Sequence, residues 1–126
     1  MTPVSLFDLA TRHNDWLAVR QRVVAENVAN ANTPGYAAKT VEPFDSVLES
    51  QSVLLNQTSG RHMAASSQSY GSYVTESKDT WQVKHSGNTV SVEQEMIEGS
   101  SIKSAYSLNV NVMQAFHRML LSAVRS

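Results

Sequence analysis

Four histidines, His13, His62, His85 and His117, are the side chains best suited to metal ligation or proton transfer near neutral pH. No two of them stand at the spacing that places a metal-binding pair on one helix face. His13 and His117 fall on apolar helical seams, where packing is the simpler role. HExxH, a glycine-rich phosphate loop and GxSxG are all absent. Ser66, Ser67 and Ser69 lie in a polar run with nothing to activate a hydroxyl. The carboxylates gather in two groups, Glu42, Asp45 and Glu49, and Glu93, Glu95 and Glu98. Both groups lie near expected helix starts, where negative charge complements the helix dipole without acid–base work. With no cysteine, disulfides, thiolate metal sites and cysteine nucleophiles are excluded. The sequence therefore yields no catalytic, cofactor-binding or metal-binding residue, and the chain reads as a non-enzyme.

The unusual chemistry lies in amides. Asn27, Asn30 and Asn32 crowd the end of a helical pattern, although asparagine is a poor helix former. Each amide both donates and accepts, so the three can satisfy the orphan carbonyls of a helix end or reach a neighbouring chain. Thr33 precedes proline and is pushed out of the α region, which ends the helix. Pro34 and Gly35 suit the two central positions of a type II turn, with φ > 0 at Gly35 and Tyr36 following.

Two long helices must position this segment. The first is expected over residues 5–31. Leu6, Ala10, His13, Leu17, Val24, Val28 and Ala31 form a heptad-like stripe, and Leu9, Trp16 and Val23 form a second beside it. The other is expected over residues 91–126. There Val92, Met96, Gly99, Lys103, Tyr106, Val110, Met113, His117, Leu120 and Val124 make one stripe. Ile102, Ala105, Asn109, Val112, Phe116, Met119 and Ala123 make its neighbour. Ser91 and Gln94 read as a capping box at its start. The fold class is mainly α: the terminal helices pair as an antiparallel coiled-coil hairpin around a polar, partly irregular middle.

Residues 32–90 supply that middle. Phe44, Val47, Leu48 and Leu55 are spaced along one face of a short helix that Pro43 opens. Residues 56–77 read as a loop rich in Ser, Gln, Tyr and Gly. Trp81, Val83 and His85 alternate ahead of Ser86-Gly87-Asn88, predicting a short strand and turn. Trp16 and Trp81 are expected to be packing anchors. The seams carry His13, Arg20, Lys103, Asn109 and Asn111. A lone hairpin with so polar a seam is underfilled, and its second stripes need cover from the middle or from other chains.

The run from Asn27 to Tyr36 resembles the N-terminal signature of the flagellar rod and hook family, an Asn-rich helix end followed by Thr33-Pro34-Gly35-Tyr36. Residues 93–124, with Asn109 and Asn111 among apolar residues, are similar to that family's terminal helix. At 126 residues the chain has no room for the large inserted domains of hook and distal-rod members, and it looks like a short proximal rod member. The resemblance implies a single rod-type domain over 1–126 and assembly with copies of itself, other rod proteins and membrane-ring junction proteins. It also implies passage through the flagellar type III export apparatus without a cleaved signal, residence in the periplasmic rod, and transmission of torque. Phe44 to Leu48 is similar to the aromatic-xxx-apolar element by which such subunits engage the export gate; packing on the terminal helices is the competing role.

Composition agrees. The formal net charge is −1 and charged residues make up 17%, so neither nucleic acid nor an anionic membrane is an expected partner, and no small-molecule substrate is implied. Residues 1–10 lack a basic start and an unbroken apolar block, so no secretory signal is read there. The alternative function is a soluble coiled-coil adaptor or chaperone.

Overall fold

The structure is a computed structural model that describes residues 3–54 and 73–125, with side chains described for 5–50 and 73–125. Leu55, His62, Ser66, Ser67 and Ser69 lie outside the described residues. Helix α1 runs Pro3–Ala29, strand β1 Lys39–Val41, helix α2 Phe44–Leu54, strand β2 Val74–Glu76 and helix α3 Val92–Arg125.

Contacts along the seam fix α1 and α3 as antiparallel. Phe7 meets Phe116 edge-on, with ring centroids 5.6 Å apart. Asn109 donates to the Ala10 carbonyl at 2.9 Å and to Asn14 Oδ1 at 2.6 Å. Arg20 pairs with Glu98, and Asn27 bonds Glu95. Low numbers on one helix thus meet high numbers on the other, as the expected hairpin requires. Of the polar seam residues, Arg20 and Asn109 find partners across it, His13 packs on Trp16 and Phe44, and Lys103 and Asn111 are exposed.

α1 is buried on two sides. Ala10 and Leu17 face α3, whereas Trp16, Val19 and Val23 belong to the neighbouring stripe and are buried as well. The second side is covered by the middle segment. Trp16, Leu17, Val47, Tyr73 and Ile102 form one core cluster, with Val41 and Phe44 packed against it. The Trp16 indole N–H donates to the Glu42 carbonyl at 2.8 Å, so its polar edge is satisfied while its faces pack. A second cluster of Ala31, Ala38 and Val90, with Tyr36 against it, closes the other end. Toward that end the buried line shifts to Asn27, and Val28, expected on the seam, is exposed.

Three expectations are corrected. The loop expected over 56–77 includes, among its described residues, the buried Tyr73 and strand β2. β2 pairs antiparallel with β1 in the register Lys39↔Glu76, Thr40↔Thr75, Val41↔Val74. The strand expected at Trp81–His85 does not form; Trp81 and Val83 are exposed there, so Trp81 is no packing anchor within the chain. Alternation alone does not make a strand, and here the backbone turns back on itself, with the Lys84 amide donating to the Asn88 carbonyl at 2.9 Å and the Gly87 amide to the Lys84 carbonyl at 2.8 Å. The expected Ser86-Gly87-Asn88 turn is present, with Gly87 at φ +80. The third correction is the capping box, of which only half forms. Ser91 Oγ accepts from the Gln94 amide at 3.4 Å, but the Gln94 side chain donates to the Asp79 carbonyl at 3.0 Å instead of reaching back.

Candidate assembly site

The segment from Asn27 to Tyr36 is the hub where the two helices and the middle meet. Asn27 is 1% exposed. Its amide nitrogen donates to the Lys39 carbonyl at 2.8 Å and to Glu95 Oε1 at 3.0 Å. Its oxygen accepts from the Lys39 amide at 2.9 Å and the Tyr36 hydroxyl at 3.3 Å. One side chain therefore ties α1, the turn, β1 and the first turn of α3. This explains an asparagine where helix propensity disfavours one: the cost is a fraction of a kcal/mol, about 0.7 at most, against several buried hydrogen bonds.

The helix end is finished by groups from far along the chain. Asn30 donates to the Glu26 carbonyl one turn back at 2.8 Å and accepts from the Thr33 hydroxyl at 3.2 Å. Asn88 is fully buried; its amide donates to the carbonyls of Asn30 at 2.8 Å and Thr33 at 2.7 Å, while its oxygen accepts from the Val90 amide at 2.8 Å. The Lys84 ammonium takes the Ala31 carbonyl at 2.6 Å. The orphan carbonyls of α1 are thus capped. Asn27 and Asn30 bond inside the chain, and Asn30 meets a carbonyl of its own helix end, one of the two roles the sequence offers these amides. Asn32, Thr33, Pro34 and Gly35 are exposed, and Tyr36 is half-buried.

Tyr36 N–H closes the turn onto the Thr33 carbonyl at 3.3 Å, and Gly35 has φ +72, as the third position of a type II turn requires. The Gly35 amide donates to the Ser86 carbonyl at 2.9 Å, which sets the Pro34 turn against the Gly87 turn. A Cβ on Gly87 would lie 3.6 Å from the Gly35 Cα.

Charge around the hub is paired. Lys39 bonds Glu26 at 2.6 Å, and this partner raises the lysine's pKa. Burial raises the Glu95 pKa above the usual carboxylate range; the Asn27 amide works against that rise, and Glu98 adds to it. Burial and the nearby Glu26 also push the Tyr36 hydroxyl up. His13 sits apart from this hub, stacked on Trp16 and edge-on to Phe44 at 4.9 Å, and burial and Arg20 lower its pKa. Phe44 is half-buried in that contact and Leu48 is half-buried nearby on α2. Among the described residues no group of three His, Cys, Asp or Glu side chains could hold a metal ion. Among the described residues no helix is long and apolar enough to cross a membrane.

The family model described as "Flagella basal body rod protein" matches residues 16–36, from the Trp16 anchor through the signature turn. The flagellar basal body rod protein FlgB of Agrobacterium fabrum is 41% identical over 129 residues, covering 99% of this chain and 96% of its own length. The chain belongs to the FlgB family of flagellar basal body rod proteins. The FlgB of Bacillus subtilis is 35% identical over 82 residues, covering 64% of this chain and 62% of its own length. That of Aeromonas hydrophila is 32% identical over 121 residues, covering 90% and 89%. As a FlgB-family member the chain is a structural protein of the flagellar basal body rod and not an enzyme.

Sequence reading found the hub through Asn27, Asn30, Thr33, Pro34, Gly35 and Tyr36 but missed its distant members, Lys39, Lys84, Asn88 and Glu95. Asn88 carried a signal only as a turn residue. Nothing in its local context marks it as the cap of a helix that ends more than fifty residues earlier.

Proposed function

We propose that this chain is a subunit of the proximal rod that polymerises through its terminal helices and helps to carry torque from motor to hook. In this reading residues 1–126 act as one rod-type domain in the periplasm, delivered by the flagellar type III apparatus without a cleaved signal. Its neighbours are further copies, other rod proteins and the junction with the membrane ring. The observation that carries the proposal is the amount of apolar surface that α3 leaves exposed. In a helix of 34 residues only Glu95 and Ile102 are buried. Met96, Tyr106, Leu108, Met119, Leu121 and Val124 are all at least half exposed. Apolar residues exposed on more than one side of so long a helix are binding surface, and covering them by neighbours would add stability that a single hairpin lacks. The signature hub supports the same reading, because it ties together the connected end of the hairpin and leaves the outer side of α3 uncovered.

The test is deletion of the gene followed by complementation. Loss of swimming and of rods, restored by the gene, together with recovery of the chain in purified basal bodies, is the expected result. Deleted cells that swim, or complete rods that lack the chain, would overturn the reading.

A further inference from the structure

Two neighbouring side chains of α2 seat it on the hairpin. Val47 enters the core cluster with Trp16 and Leu17, and Phe44 packs against that cluster. Phe44 lies edge-on to His13, with ring centroids 4.9 Å apart, and 5.7 Å from Trp16. His13 in turn stacks on Trp16 at 5.6 Å, with 22° between the ring planes. A titratable ring thus joins the first side chain of α2 to the indole that anchors the middle segment.

The surroundings of His13 favour its neutral form. It lines a cavity of about 190 Å³ where three helices meet, with Leu9 and Ala10 of α1, Phe44 of α2, and Asn109, Val112 and Met113 of α3. Among the described residues that line this cavity His13 is the only titratable one, and α3 brings only uncharged side chains to it. Walls so apolar give water little to bond, so a proton on the ring would be poorly solvated. Burial lowers the His13 pKa, and the Arg20 guanidinium, a positive charge on the same helix, lowers it further. Arg12, beside it in the chain, is paired with Asp8. The acids of the adjoining elements are Asp15 of α1, Glu42 ahead of α2, and Asp45 and Glu49 of α2; all four are exposed and none lines the cavity. Trp16 already carries one cation, with the Arg20 guanidinium 4.9 Å from its ring centroid, so it has less to offer an imidazolium.

We propose that His13 is an acid-sensitive latch for α2: the neutral ring seats Phe44, and a proton on the ring loosens Phe44 and the helix behind it. A protonated His13 must either stay in an apolar junction near a guanidinium or turn to water, and turning to water removes the surface on which Phe44 rests. The seat is full above the ordinary histidine value of about 6.5 and weakens as pH falls below it. At pH 5 the loss cannot exceed about thirtyfold, the ratio of protonated to neutral ring in a free histidine. α2 has 11 residues, too few to persist as a helix alone, so a loosened seat shows as lost backbone protection. The Asn27 hub responds in the opposite sense, because acid relieves the buried charge of Glu95. Acidification therefore frees α2 while the two terminal helices stay paired.

Hydrogen exchange of the full chain tests this, followed residue by residue by NMR at one low chain concentration and corrected for intrinsic rates. Between about pH 7.5 and pH 5, protection of the Val47 and Leu48 amides should fall at least about threefold. The Lys39 amide, bonded to Asn27, should hold its protection. His13→Gln has no ring to protonate and should make α2 protection independent of pH over this range. The ring signals give a second reading: His13 should titrate below about 6.5 in the wild type, and Phe44→Ala should move it back toward that value. The proposal is overturned if wild-type α2 protection does not change, or if α2 and Lys39 lose protection together. It is equally overturned if His13→Gln loses protection as the wild type does, which would assign the effect to the carboxylates of α2. A wild-type ring that titrates at or above about 6.5 also overturns it, however the variants fold. None of these results touches the rod-subunit reading, which stands or falls on recovery of the chain in basal bodies.

Discussion

Asn27 offers the sharpest test of the hub. Replacing it with alanine removes hydrogen bonds to the Lys39 carbonyl, the Lys39 amide, Glu95 and the Tyr36 hydroxyl. Tyr36 is half-buried and can turn to water, so three bonds count in full. At about 1 kcal/mol each, Asn27→Ala should cost about 3 kcal/mol. With a urea slope of about 1–3 kcal/mol per M, the midpoint should fall by at least about 1 M. Asn27→Asp separates hydrogen bonding from charge. It keeps the acceptor for Lys39 and Tyr36 but sets a second carboxylate beside the buried Glu95. Like charges raise the pKa of such a pair, so the aspartate variant binds protons more readily folded than unfolded. Its stability should be lowest at pH 7 and recover as pH falls toward the carboxylate range, whereas the alanine deficit should shrink less, because only the Asn27–Glu95 hydrogen bond in it depends on the charge of Glu95. Urea unfolding followed by helical circular dichroism, at one fixed and high chain concentration, reads both. If both variants lie within about 0.5 kcal/mol of wild type at pH 7, Asn27 does not hold the hairpin together and the hub is misassigned.

The remaining predictions concern the turn, the buried acid and α2. Gly35→Val should cost about 1–2 kcal/mol from its left-handed backbone alone, since no atom lies within 4 Å of the added Cβ. It should block rod completion and swimming in soft agar, whereas Ser67→Ala should leave both intact. Burial raises the Glu95 pKa, so its contribution to stability is full below the unfolded value and is lost as pH rises through the folded one. Glu95→Gln should therefore raise the urea midpoint at pH 7 and flatten the pH dependence above the ordinary glutamate pKa of about 4.3. Phe44→Ala removes the ring packed on His13 and Trp16 and should cost about 2 kcal/mol. It should also reduce secretion at unchanged cytoplasmic level if α2 is read by the export apparatus. Phe44→Leu, which restores most of the packing, separates the two roles: secretion that recovers with it points to packing alone.

Local physical chemistry is written in the sequence, and those features were legible. The four-and-three spacing of apolar residues demands helices, Pro34 bars helix from Thr33 onward (α1 closes at Ala29), and Pro34-Gly35 demands a turn with a positive φ. The antiparallel pairing follows from two stripes of similar rhythm at the two ends of one chain. The sequence also holds the signature that placed the chain in its family. Which stripe is buried is a different kind of fact. Trp16 lies deep because Tyr73, Val41 and Val47 pack in one cluster with it, and Met96 and Tyr106 lie exposed on a stripe of the same helical rhythm. The same holds for the amides: Asn30 caps its own helix within one turn, a local bond that its position suggests, whereas Asn88 and Lys84 cap the same helix from the far side of the middle segment. A hydrogen bond or an apolar contact between distant residues depends on the path of all the chain between them. Periodicity and turn chemistry report only the neighbours a residue has along the chain, so those partners were decided by tertiary structure alone.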